Sequence, residues 1–201
     1  MTVEHVEFHV EEPSMEALLR GLLPRVLTTV PFDIYTYQGK PDLLKELPVR
    51  LKGLATWLPA TWRVVVIVDV DRDDCAELRA RLDGIVVRAG MRVRSGNGAW
   101  QVVNRIAIEE LEAWYFGDWE AVRTAFPRVP DVSRRREFRD PDAIAGGTWE
   151  AFERVLQAAG YFRGGLQKTM AARQIGEHLD AERNTSTSFG KLCEVLRELT
   201  S

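Results

Sequence analysis

Charged residues of this chain fall at positions where they could act together. Glu11-Glu12, Gly39-Lys40, Asp69-Val70-Asp71 and Glu109-Glu110 each follow directly on an apolar, strand-like segment. Carboxylates brought together repel and raise one another's pKa until a cation neutralises them. Ligands of this hardness call for a hard divalent ion, Mg²⁺ or Mn²⁺. The competing structural role is helix capping, which suits acidic residues after strands. Asp73 and Asp74, leading into the next helical segment, fit that role best. A DxD abutting a buried strand, flanked by two further acidic strand ends, favours a metal site.

The elements that must position these residues are legible from periodicity. Val6, Phe8 and Val10 alternate as in a strand, and Met15 to Val26 repeats at helical spacing. Phe32–Tyr37 reads as a second strand. Leu43 to Trp57 reads as a helix in which Pro48 predicts a kink or break. The uninterrupted Val64–Val68 run is what a strand covered on both faces of a parallel sheet requires. Cys75–Ala89 follows as a helix, with Gly90 placed to cap it, and Val102–Ile108 as a fourth strand. This alternation predicts an α/β fold, a mostly parallel sheet with right-handed crossovers. Ligands of such sheets bind outside the carboxyl ends of the strands, where the four charged groups converge.

The second half reads as mainly helical, with segments near 111–116, 119–126, 149–159, 167–179 and 188–199. A polar stretch, PRVPDVSRRREFRDPDAIAGG, predicts a long loop. Residues 1–116 are expected to form the α/β core and residues 117–201 a helical extension packed on it. Arg134, Arg135, Arg136 and Arg139 form a local basic patch suited to a phosphate backbone. Trp100, Trp114, Trp119 and Trp149 are read as core, His9 as a packed strand residue, and Ser186 or Ser188 as the cap of the last helix.

The chain has 201 residues, 45% of them apolar, which is enough for one sizeable core. With 27 Lys plus Arg against 30 Asp plus Glu, a net charge of −3 gives no global attraction to polyanions. Any nucleic acid must therefore be held locally or through metal ions. Cys75 and Cys193 are too far apart to suggest a disulfide framework or a zinc site, and the apolar runs are too short to span a bilayer. A cytoplasmic protein without membrane contact is expected.

The strings HVEEPS, VVVIVDVDRDD and RIAIEELEAW resemble the Toprim-like domains over about residues 3–115. With FRDPDAIAGGTWEAFERVL and RNTSTSF, nearly the whole chain is similar to a bacterial family akin to the Toprim nuclease half of the overcoming-lysogenisation-defect proteins. The resemblance implies a Toprim-like (Rossmannoid) sheet and a Mg²⁺-dependent nuclease acting on DNA or RNA in phage defence or genome maintenance. It makes Glu11 the general acid or base and Asp69 and Asp71 metal ligands. Glu109, with Glu110 or Glu112, falls near a second ion, as a two-metal displacement requires. Lys40 is placed to balance charge on the phosphate. Toprim domains have Gly after the catalytic Glu; here Glu12 follows, so Glu11 and Glu12 both stay candidates. The GxxxxGK[ST] motif is absent, which implies a separate ATPase partner; self-association is left open. Two alternatives use the same residues: a haloacid-dehalogenase-like phosphatase with Asp69 as nucleophile, and a non-catalytic Toprim-like partner or sensor module.

Overall fold

The computed structural model describes residues 2–71, 73–95 and 98–200. Arg72 of the VVVIVDVDRDD string lies outside them. The strands β1 (His5–Val10), β2 (Phe32–Thr36), β3 (Trp62–Asp69) and β4 (Val102–Ala107) form one sheet in the order β2-β1-β3-β4, with every neighbouring pair parallel. Each β–α–β passage returns the chain to the same end of the sheet. All four carboxyl ends therefore share one edge.

The apolar run of β3 dictates layers on both faces, because Val64 to Val68 have no solvent exposure. Val64, Val66 and Val68 pack with helix α2 (Lys40–Leu54) and helix α3 (Cys75–Arg88). Val65 and Ile67 pack with helix α1 (Pro13–Val26) and much of the second half. Of the kink or break expected at Pro48, there is no break: the residue lies inside α2. Leu43, Leu47, Leu51 and Leu54 are buried along one face of α2, and that burial outweighs one lost hydrogen bond.

The second half comprises α4 (Glu112–Gly117), α5 (Trp119–Ala125), α6 (Thr148–Ala158), α7 (Lys168–Gly176) and α8 (Thr187–Leu199). The long connection before α6 is tethered rather than free. It contains two short 3-10 turns, Arg136–Phe138 and Pro141–Ala143, and buries Val129, Val132, Phe138 and Ile144. Phe138 stacks on Phe116 with ring centres 4.7 Å apart. Much of the RDPD and RNTSTSF strings is structural. Asp142 accepts hydrogen bonds from the Ser186 and Ser188 hydroxyls, at 2.8 and 3.1 Å, and Ser186 caps α8.

Helix α7 crosses α1 at two glycines. A Cβ on Gly176 would sit 2.5 Å from the Leu18 carbonyl oxygen, and one on Gly21 would sit 2.7 Å from the Glu177 nitrogen. Arg25 fastens the crossing by donating to the carbonyls of Gly176 and Leu179, at 2.8 and 2.7 Å. Backbone cannot yield as a flexible side chain would, so Gly176→Ala is expected to cost about 1–3 kcal/mol. Thermal denaturation should show the melting temperature lowered by roughly 5 °C for a domain of this size. No described helix is long and apolar enough to cross a membrane.

Candidate functional site

The strand order reverses between β1 and β3, and in open parallel sheets this switch point opens the ligand crevice. Glu11 and Asp69 leave the sheet at that point. Glu11 Oε2 accepts the Asp69 backbone N–H at 3.1 Å, so the first acid is held against the backbone of the second. Asp69 is 7% exposed, and its Oδ1 is buried with no hydrogen-bond partner. Burial, then the charges of Glu11, Glu112, Glu12 and Asp71, push its pKa well above the usual carboxylate range. Burial likewise raises Glu11, against the lowering effect of the Asp69 amide.

The loops after β3 and β4 clasp each other. The Asp71 N–H donates to the Glu109 carbonyl at 3.0 Å, and both residues are left-handed, with φ of 49° and 62°. Side chains at such angles store conformational strain, which tertiary contacts must hold in place. Lys40, at the start of α2 beyond β2, closes the other side. Its Nζ lies 2.8 Å from Asp71 Oδ2 and from Asp73 Oδ2, and donates to the Val70 carbonyl at 3.1 Å. Burial alone would lower its pKa, but the two carboxylates reverse this and raise it. Asp74, not Asp73, caps α3, accepting from the Ala76 and Glu77 amides at 2.9 Å.

Glu110 has a different neighbourhood from Glu109. Its Oε2 accepts the Thr148 hydroxyl and the Trp149 N–H, both at 3.0 Å, and so satisfies orphan donors at the start of α6. Glu12 is bonded to the Ser14 hydroxyl at the head of α1. A cavity of about 690 Å³ opens over these groups, bounded by Lys40, Asp71, Asp73, Glu109, Glu110 and Trp149 among others. Arg134, Arg135, Arg136 and Arg139 are exposed on the long connection and do not bound this cavity.

The family described as "Domain of unknown function (DUF4276)" matches residues 10–197. The chain belongs to that family. No curated protein matches the chain. Among solved structures, the C-terminal region of the Xanthomonas campestris pv. campestris OLD protein is similar at 14% identity and a TM-score of 0.52, over 96% of this chain and 94% of that one. The C-terminal region of the Burkholderia pseudomallei OLD protein is similar at 14% identity and a TM-score of 0.50, over the full length of both chains. The fold is Toprim-like and shared with these OLD regions.

Three side chains around the acids escaped sequence reasoning. Trp149, read as core, is only half-buried and bounds the cavity. Lys168, the first residue of α7, places its Nζ 4.0 Å from Glu112 Oε1 and 5.3 Å from the Trp149 ring centre. Tyr115 is buried with its hydroxyl unpartnered, and burial followed by the charge of Glu112 raises its pKa. His9, as expected, is packed away, its Nδ1 2.9 Å from the Tyr37 hydroxyl.

The donor chemistry fits a hard divalent cation. The carboxylates stand together against their own repulsion, and a buried Asp69 oxygen lacks any protein partner. Among the described residues, no three His, Cys, Asp or Glu side chains already converge on one ion-sized point. Glu112 reports the same crowding. Burial, only partly offset by Lys168, pushes its carboxyl up to about 7. The folded state thus holds a proton that the unfolded state has released, and stability falls as pH rises from about 4.5 through 7. Melting temperatures measured between about pH 5 and pH 8 should decline in the wild type, and Glu112→Gln should flatten that decline.

Proposed function

We propose that this chain is a divalent-metal-dependent phosphodiesterase acting on DNA or RNA, working with a separate ATPase in bacterial defence or genome maintenance. The observation that carries the reading is Asp69: nearly buried, crowded by like charges, with an unpartnered oxygen at the sheet's switch point beside Glu11. The fold shared with the OLD C-terminal regions and the Toprim resemblance of the strings around these acids support it.

In this reading Glu11, Asp69 and Asp71 hold one Mg²⁺ or Mn²⁺, and Glu109 and Glu110 serve a second. When bound, the metal supplies Lewis-acid polarisation of the phosphate and a more acidic water. Glu11, whose pKa burial raises, holds or gives up a proton nearer neutrality than an exposed glutamate does, as a general acid or base must. The Asp69 amide fixes the Glu11 carboxylate, so the proton is handled at a defined place. Lys40 presents an ammonium at the rim of the cavity, where charge on a phosphate in transit would be balanced.

The test is cleavage of labelled single-stranded DNA, duplex DNA and RNA by the full chain, with Mg²⁺, with Mn²⁺ and with EDTA. Cleavage is expected only with metal, and Glu11→Ala should remove it. Metal-independent cleavage, or full activity in Glu11→Ala, would overturn the reading. A covalent aspartyl phosphate on Asp69 would point to the phosphatase instead.

A further inference from the structure

One arginine of the long connection has a basic neighbour from another element. Arg136 turns into a second pocket, of about 470 Å³, whose other basic residue comes from α6: Arg154. Phe138, Ile144 and Ala151 form its apolar floor, each less than a tenth exposed. Among the described residues neither Arg136 nor Arg154 makes an ion pair or a side-chain hydrogen bond. The acid that also borders the pocket, Glu137, has Arg135 as its ion-pair partner, at 4.0 Å. Two guanidiniums are therefore unspent over a floor that cannot hydrogen-bond. Both arginines are exposed to solvent, and planar forks of five donors match phosphate oxygens.

The position of this pocket gives it a use. Ala143, Ile144 and Ala145 line it, and the next residues, Gly146 and Gly147, line the acidic cavity. One short turn separates the two. The acidic cavity repels a polyanion everywhere except at Lys40 and any bound cation, so a nucleic-acid strand needs an anchor just outside it.

We propose that Arg136 and Arg154 form a phosphate-binding subsite that grips the nucleic-acid backbone next to the segment lying in the acidic cavity. This rests on the nucleic-acid reading above, but it concerns binding and can fail separately. The pocket accepts a phosphodiester and its sugar. An acidic peptide of a protein partner is the alternative occupant.

The experiment is fluorescence anisotropy of a labelled single-stranded DNA 20-mer with the full chain in EDTA, at salt from about 50 to 200 mM. Arg136→Gln/Arg154→Gln is expected to weaken binding at least tenfold and to reduce the slope of log affinity against log salt by about 1.4, as the loss of two phosphate contacts to a single strand requires. Lys52→Gln/Arg88→Gln, equal in charge change and exposed on other helices, should leave both nearly unchanged. Circular dichroism melts confirm that both variants fold. Unchanged affinity in the pocket variant, or an equal loss in the Lys52 and Arg88 variant, would overturn the subsite. So would absence of DNA binding by the wild type, or pocket-dependent binding of poly-glutamate with none of DNA. Arginine-dependent binding without metal-dependent cleavage would sustain the subsite and defeat the phosphodiesterase reading. Cleavage with unchanged binding in the pocket variant would do the reverse.

Discussion

Asp69→Asn should abolish metal-dependent cleavage while raising the melting temperature of the metal-free protein. The two effects have one origin. The Asp69 carboxyl is nearly buried and faces Glu11, Glu112, Glu12 and Asp71, so its ionised form is disfavoured in the fold. Its folded pKa is raised, so its contribution to stability is present at low pH and is lost as pH rises above the unfolded value. An amide of the same shape removes the charge and that loss. A gain of about 1 kcal/mol would lift the melting temperature by roughly 2–4 °C for a chain of this length. Catalysis moves the other way. With Asp69 holding the metal as proposed, losing several kcal/mol of charge stabilisation should lower the rate on the order of 10³-fold. Mn²⁺ should raise the melting temperature of the wild type and leave Asp69→Asn almost unmoved. A less stable Asp69→Asn that still cleaves would remove Asp69 from the site.

Arg183→Met should cause a large loss of stability. Asp118 is 1% exposed and forms the joint between α5 and the segment before α8. Its Oδ1 receives Arg183 Nε at 2.6 Å, and its Oδ2 receives Arg183 Nη2 at 3.0 Å and the Asp180 N–H at 2.9 Å. Removing the guanidinium strands a buried carboxylate, which costs 3–5 kcal/mol when the pair is wholly buried. The Arg183 side chain is 37% exposed, so water replaces part of what is lost and about 2–3 kcal/mol is expected. Thermal melts should fall by roughly 5–10 °C. Asp118→Leu/Arg183→Met should recover part of the loss, because the double variant leaves no buried unpaired charge; Glu120 and Asp180, the other ion-pair partners of Arg183, are exposed. A single variant as stable as the wild type would show the pair to be idle.

The sequence exposed the acids because a parallel sheet turns linear spacing into proximity. Glu11, Asp69 and Glu109 are far apart in the chain, yet each lies at or just beyond the carboxyl end of a strand, and every strand end meets the same edge. Lys40 was legible for the same reason. Pro48 misled because local propensity ignores the four leucines that hold α2 against the sheet. Lys168 and Trp149 were illegible. They reach the acids through the packing of α7 and α6, which depends on long-range closeness such as that of Gly176 to Leu18 rather than on any periodicity. Arg134, Arg135, Arg136 and Arg139 are all exposed, and a pocket brings Arg136 together with Arg154 of a later helix, which no spacing along the loop announces. Glu110 shows the limit of reading by type, since one of its oxygens is spent on the first turn of α6.

The glycine crossing also sets a schedule for synthesis. Arg25 and its acceptor on Gly176 are 151 residues apart. At translation rates of about 5–20 residues per second, α7 follows α1 by roughly 10–30 s. Through that interval β1 and α1 exist without the helix that covers them. Leu18, Leu19, Leu22 and Leu23, fully or almost fully buried in the finished chain, form a sticky ridge on the nascent one. The packing around the first helix is incomplete until α7 has left the ribosome. Chaperone demand during synthesis should therefore be higher than its modest size implies.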